Sequence, residues 1–278
     1  MGGAAMLAYE NYSNTSRLYQ KSLERISSGL RINSASDDPS GLAIADNLRT
    51  QANSMRQGIE NANSAIGMIQ IADKAMSEQS NILDIVKSKL IQASSDTTSD
   101  EGREAIRKDI VKYLTSLDNI ANQTNYNGIT LLQESKTSNG ISDDLSFQIG
   151  DGVGDTIDMK GVQANTQGLN IQALKNLASG ALTRDVASNN LSDIDNALNK
   201  LNLFRSEFGS TQNQLESSIR YMMTTETNLR ASESTIREVD YAKEVMNLNK
   251  LKVVMQAGMY AMAQANKMQE QMLKYLFR

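Results

Sequence analysis

Two hydrophobic seams restrict the fold of this chain more than any other feature. Leu48, Met55, Ala62, Ile69, Met76, Leu83 and Leu90 fall seven residues apart without a miss, with Ala52, Ile59, Ile66 and Val86 at the offset positions. Near the other end, Ile194, Leu201, Phe208, Leu215, Met222, Leu229 and Ile236 repeat the spacing, with Leu191, Leu198 and Ile219 beside them. A seven-residue repeat keeps one face of a helix apolar along its whole length. Each seam covers 43 residues; at about 1.5 Å per residue a helix of that length spans roughly 65 Å. Two equal seams near opposite ends of the chain, with reversing structure between them, predict a mainly α fold built on a long antiparallel coiled-coil-like bundle.

The chain between the seams supplies the reversal. A third helix, Glu101 to Gln123, carries Ile106, Ile110, Tyr113, Leu114, Leu117 and Ile120 behind a Ser/Thr/Asp-rich break at 94–100 that offers cap residues. It can fold back on the first seam. "NYNGITLL" then introduces a turn, and "LSFQIGDGVGDTIDMKGV" alternates Leu145, Phe147 and Ile149 against Ile157 and Met159, which predicts a small β-hairpin at about 141–163. The "GDGVGDT" turn has one copy of a glycine-aspartate pattern that binds calcium only as stacked repeats, so its glycines are read as supplying positive φ to a loop between two strands.

Composition then removes whole classes of activity. With no Cys and no His, thiol nucleophiles, Ser-His-Asp triads, zinc fingers and histidine-bound metals cannot be built. Neither a cofactor nor an enzymatic activity is expected. One Pro, no Trp and 14 Met suit long uninterrupted helices. A net charge of −4 gives no footprint for nucleic acid. Charge is distributed unevenly: residues 1–31 carry 4 basic against 2 acidic groups and residues 241–278 carry 6 against 2, leaving 18 against 28 between them. The start, "MGGAAMLAYE", lacks the basic flank and long apolar core of a cleavable secretory signal. The apolar uncharged run near the C-terminal end, Val253 to Asn266, is 14 residues and holds Gln and Asn, so no membrane insertion is expected and the chain is read as soluble.

The two termini differ from the seams. Tyr12, Tyr19 and Ile26 share one register and Leu23 and Leu30 another. The C-terminal stretch places Val245, Leu248, Met255, Met259, Met262, Leu273 and Leu276 among six Met and the small residues Ala257, Gly258, Ala261, Ala263 and Ala265, apolar or small on nearly every side. Such a helix needs burial all round. The N-terminal segment can cover one side; copies of the same chain, another partner or a membrane surface must cover the rest. These twelve large residues are the candidate assembly set.

Between the first terminal segment and the first seam lies "SGLRINSASDDPSG" at 28–41. A phosphate-binding loop would end in Gly-Lys-Ser/Thr, and an EF-hand would alternate its acids and close on Glu; this stretch does neither. Asp38 followed by Pro39 reads as a helix N-cap with proline at the first helical position. The loop, with Gly29, Arg31, Asn33, Asp37, Asp38, Pro39 and Gly41, is therefore read as a connector where an apolar terminal helix stops and a charged bundle begins.

"SSGLRINSASDDPSGLAIADNLR" at 27–49 and "ASESTIREVDYAKEV" with "QAGMYAMAQAN" across 231–266 resemble the N- and C-terminal signatures of bacterial flagellin, and the resemblance extends over roughly 13–134 and 181–278. It implies that the terminal helices (1–32 and 238–278) pair into an inner, channel-lining coiled coil. A spoke loop (33–42) would follow, then an outer helical bundle (43–237), with the outermost variable domains missing. The implied function is a structural subunit, exported unfolded through the flagellar type III secretion channel, that polymerises into the extracellular filament for motility. The alternative within the same resemblance is a secreted flagellin-like effector or a minor or junction protein. Implied partners are further copies of the chain, an export chaperone on the C-terminal segment, and filament cap and hook-junction proteins. The stretch 83–90 is similar to the site by which flagellins are sensed by a host Toll-like receptor. Stimulatory members carry arginine at the position of Ile85 and leucine at that of Lys89, so receptor binding here is expected to be weak. Ile85, Lys87 and Lys89 are the candidate residues of that surface. The sequence departs from the family at Ser234-Thr235-Ile236-Arg237-Glu238, where Ser-Arg-Ile-Arg-Asp is usual.

Overall fold

The computed structural model describes residues 3–276, with side chains described for residues 6–272. Helix α1 (Gly3–Ser28) is followed by α2 (Pro39–Ala93) and α3 (Asp100–Gln123). Four short strands come next: β1 (Asn125–Tyr126), β2 (Ile129–Thr130), β3 (Leu145–Gln148) and β4 (Thr156–Met159). A single turn, α4 (Gln172–Lys175), precedes α5 (Arg184–Arg237) and α6 (Tyr241–Leu276). The fold is thus mainly α with small β-hairpins. It divides into two compact units, one of residues Ser54–Thr225 and one of residues up to Asn53 together with those from Glu226.

In the first unit the seams behave as their periodicity dictates. Ala62, Ile69, Met76, Leu83 and Leu90 of α2 and Ile194, Leu201, Phe208 and Leu215 of α5 are fully buried in one cluster. The two helices run antiparallel, since Lys87 pairs with Asp195 at 2.5 Å while Arg205 pairs with Asp73 at 2.8 Å. Helix α3 opens at Ser99, whose hydroxyl accepts from the Gly102 N–H at 3.1 Å, and buries Ile106, Ile110, Leu114, Leu117 and Ala121. It lies back along α2: Gln79, fully buried, donates its amide to the carbonyls of Leu117 at 3.2 Å and Ala164 at 2.8 Å.

The first hairpin closes on its expected turn, but in the second Gly150, Gly152 and Gly154 are not among the positive-φ glycines, so the loop between β3 and β4 is made without the left-handed backbone expected of them. β1 and β2 are joined through Asn127 and Gly128, each at positive φ, the two-residue turn that Asn-Gly favours. β3 and β4 pair antiparallel with Leu145 opposite Met159 and Phe147 opposite Ile157, so one face carries the large apolar side chains into the core. The segment 160–183 has no periodicity, yet it contributes Val162, Ala164, Leu169, Ile171, Leu174 and Leu182 to that core. Two acids hold it down. Asp118 accepts from Thr166 N at 2.7 Å, Thr166 Oγ1 at 2.9 Å and Lys175 Nζ at 2.6 Å. Glu104 accepts from Arg107, from the Gly180 N–H and from Ser179 Oγ. The Arg107 guanidinium, followed by the Gly180 N–H, holds the Glu104 carboxyl far below the usual carboxylate range.

In the second unit α1 and α6 run antiparallel: Tyr12 lies against Gly258, Ser22 bonds to Glu244, and Gly29 faces Tyr241. The outer ends of both seams fall here, and Leu48, Leu229 and Ile236 are only half-buried, so apolar cover is poorer than the unbroken periodicity suggests.

Candidate assembly surface

Spacing along α1 and α6 sets which side chains meet. On α1 the covered run is Ala8, Tyr12, Thr15, Tyr19, Ser22 and Ile26, with Ser16, Lys21 and Arg25 half-covered beside it; on α6 it is Glu244, Leu248, Leu251, Met255, Gly258, Met262, Ala265 and Gln269. Both runs alternate steps of four and three, the spacing of a coiled-coil stripe. The candidates Tyr12, Tyr19, Ile26, Leu248, Met255 and Met262 therefore lie on the contact between the two helices, each half-buried. Leu23, Val245 and Met259 lie off it, exposed. The backbone of Leu273 and Leu276 belongs to α6, but their side chains fall outside the described residues.

Among the described residues of α1 and α6, only two side chains are buried, and both are polar. Ser22 is 1% exposed and Glu244 9% exposed. The Ser22 hydroxyl donates to Glu244 Oε1 at 2.6 Å, and Asn247 Nδ2 donates to the same oxygen at 3.3 Å. A buried polar position within an apolar stripe disfavours other registers, because any slip leaves it without a partner.

The remaining faces carry large apolar groups to solvent. Met6, Leu7, Tyr9 and Leu18 on α1 are exposed, as are Met246, Val253, Val254, Tyr260, Met268 and Met272 on α6. Met246, Val253 and Tyr260 recur seven apart on the side turned from α1, and Tyr260 is 80% exposed. An apolar groove of about 540 Å³ lies along the pair, lined by Leu7, Tyr12 and Thr15 with Val254, Gly258 and Ala261. An apolar surface of this extent is costly in water unless something covers it.

The connector is held by its own hydrogen bonds. Helix α1 ends at Gly29, whose φ of +73° is a left-handed conformation that side-chain-bearing residues adopt with strain. Leu30 bridges Glu238, with Arg31 N donating to the Arg237 carbonyl at 2.7 Å and Val239 N to the Gly29 carbonyl at 3.0 Å. Arg31 Nε adds a bond to the Ile236 carbonyl at 3.2 Å. Asp37 Oδ2 gathers the N–H groups of Asn33 and Ser34, while its Oδ1 accepts from Lys21 at 2.9 Å. The Lys21 ammonium, supported by those N–H groups against the opposing effect of burial, draws the Asp37 carboxyl down from 3.8 to about 2. Asp38 caps α2 as its position before Pro39 predicts, accepting from the Gly41 N–H at 2.9 Å. A Cβ on Gly41 would come within 2.5 Å of that same carboxylate and 2.7 Å of the buried Ile32.

On α2, Ile85 is exposed as the seam requires, whereas Lys87 and Lys89 are half-buried and tied inside their own unit, to Asp195 at 2.5 Å and Asp109 at 3.3 Å. Spacing placed these lysines off the seam but could not reveal their partners. No group of three metal-ligating side chains occurs among the described residues, and no helix there is long and apolar enough to cross a membrane.

A helix pair that is apolar on its outer faces and fused to a well-packed bundle defines a structural subunit. Comparison with known proteins supplies its family. The profile of the bacterial flagellin N-terminal helical region matches residues 2–137, and that of the bacterial flagellin C-terminal helical region matches residues 191–276. The chain belongs to the bacterial flagellin family, a family of structural proteins of the extracellular flagellar filament and not of enzymes. It is 30% identical to a flagellar filament 33 kDa core protein of Treponema phagedenis, over 98% of this chain and 97% of that one. It is 52% identical to flagellin A of Helicobacter felis over 136 residues, which are 49% of this chain and only 25% of that protein. Among solved structures, Bacillus cereus flagellin is similar at 27% identity with a TM-score of 0.51, over 63% of this chain and 94% of that one.

Proposed function

We propose that the chain is a subunit that polymerises with further copies of itself through α1 and α6, building a flagellar filament for motility after export, unfolded, through the flagellar type III secretion channel. The observation that carries this reading is the apolar outer face of the α1/α6 pair, from Met246 through Val253 to Tyr260, which no other described segment covers. Segments 1–32 and 238–278 line the channel, 33–42 is the connecting spoke, and 43–237 is the bundle. Export chaperone, cap and hook-junction proteins are the further partners, the chaperone on the C-terminal segment. Electron microscopy of the purified chain after concentration tests the proposal: long tubes are expected, and a chain that stays dispersed under conditions where other flagellins polymerise points instead to a secreted effector or a junction protein.

Recognition by a host Toll-like receptor is proposed to be weak. Ile85 offers no bidentate donor, and Lys89 puts a charge, already paired with Asp109, at an apolar anchor. Ile85→Arg with Lys89→Leu should raise the signal of reporter cells; an unmodified monomer that signals as strongly as a stimulatory flagellin contradicts this.

A further inference from the structure

The thioethers of this chain differ widely in exposure; outside α6, Met6 on α1 is 65% exposed and Met223 on α5 55%. Met68, Met76, Met159 and Met222 are buried in the bundle core, and Met76 is 0% exposed. On α6, by contrast, Met246 is 66% exposed and Met272 60%, with Met268 close behind. The chain has no cysteine, so these thioethers are its most readily oxidised groups. Met246 shares the side of α6 turned from α1 with Val253 and Tyr260, whereas Met268 follows Val254 and Ala261 at seven-residue steps along the edge of the groove.

We propose that Met246, Met268 and Met272 are modification sites for two-electron oxidants of the peroxide class, and that their oxidation blocks assembly of the subunit. This rests on the reading of α6 as an assembly face. Each thioether sulfur attacks the terminal peroxide oxygen, the O–O bond breaks, and the sulfur leaves as a sulfoxide while hydrogen peroxide is reduced to water. The product replaces an adaptable apolar tip with a polar S=O group. On an exposed helix face this costs the free monomer little, because water solvates the new oxygen. In a contact between copies the oxygen must lose that water, so the monomer tolerates what the polymer does not. The four core methionines escape because the packed core leaves no path for the oxidant.

The test uses the full-length monomer, dilute hydrogen peroxide and peptide mass spectrometry. Sulfoxide should accumulate early at Met246, Met268 and Met272, as at the exposed Met6 and Met223, while Met68, Met76, Met159 and Met222 stay reduced and the helical circular dichroism is unchanged. The critical concentration for assembly should rise by about tenfold or more for each sulfoxide placed in a contact. Treatment with methionine sulfoxide reductases should restore it. In the triple variant Met246→Leu, Met268→Leu and Met272→Leu, the same dose should leave the critical concentration at that variant's own untreated value, whatever that value is. Oxidised monomer that assembles as readily as untreated monomer overturns the proposal, as does a triple-leucine variant that remains sensitive. Untreated chain that fails to assemble would instead remove the assembly reading itself, and this inference with it.

Discussion

The bundle and the terminal helix pair use the same seven-residue spacing to opposite ends. In the unit of residues 54–225, the stripe on each long helix meets a second helix, then α3, then the β3–β4 hairpin, until Leu83, Leu90, Leu201 and Phe208 have no contact with water. In the other unit, α1 and α6 meet only along one stripe, which is half-covered, and the two side chains that are buried there are Ser22 and Glu244. Three-sided cover makes a self-sufficient fold. One-sided cover leaves a surface whose burial depends on something outside the monomer, and the polar pair holds that open arrangement in one register.

Removing α6, residues 241–278, is the most severe test of this contrast. Polymerisation should be lost completely while circular dichroism stays strongly helical and the bundle's unfolding midpoint is unchanged, because every buried member of the α5 seam lies before α6. Tubes formed by the truncated chain would show that the pair is dispensable.

Point substitutions separate the units further. Phe208→Ala should destabilise the bundle by about 3–5 kcal/mol, the cost of a cavity in a core that cannot collapse. Tyr260→Ala should move bundle unfolding by no more than about 0.5 kcal/mol, as exposed substitutions do, yet impair assembly. Equal effects of the two on denaturant unfolding would erase the distinction.

The polar pair can be tested through the absence of cysteine. A Cβ on Gly258 lies 3.8 Å from the Tyr12 Cβ, within the range a disulfide needs. Tyr12→Cys with Gly258→Cys should therefore cross-link efficiently in the assembled protein. Adding Glu244→Leu leaves the Ser22 hydroxyl unpartnered at a cost of about 1–3 kcal/mol, and should lower the yield while raising that of the one-heptad slip pair, Tyr12→Cys with Ala265→Cys. An unchanged yield would assign the register to the Leu30–Glu238 bridge alone.

The smallest expected effect belongs to the connector. The folded Asp37 carboxyl titrates near 2 instead of 3.8, so its contribution is complete above the higher value and disappears as pH falls toward the lower one. Protection of the Asn33 and Ser34 amides from hydrogen exchange should decline over that interval, and Asp37→Asn should flatten the decline. Because Lys21 is partly exposed, the change is modest. Identical profiles for the two proteins would remove Asp37 from the connector's stability.

Much of this was legible before any coordinates. Local rules carried the seams, the Asp38–Pro39 helix start, the Asn-Gly turn and the hairpin with Leu145 near Met159, because periodicity and turn chemistry act within a few residues. The resemblance carried by 27–49 and 231–266 led to the flagellin family. Less legible was segment 160–183, which packs on the core through scattered apolar residues held by Asp118 and Glu104, with no repeat to announce it. Spacing also marked Leu23 and Val245 as assembly candidates without telling that they lie off the α1/α6 contact.

By itself, the sequence determined that the chain would be long helices with apolar stripes, that its ends would lack cover, and that cysteine and histidine chemistry, histidine-bound metals included, was closed to it. Tertiary structure alone decided which groups meet across the chain: Lys89 with Asp109, Gln79 with two distant carbonyls, and Ser22 with Glu244 at a separation of 222 residues. A stripe specifies a face but tolerates slips of seven residues, since one apolar contact resembles the next. A hydrogen bond between two buried polar atoms is met in a single register and is costly in every other, and that register exists only once both helices are in place.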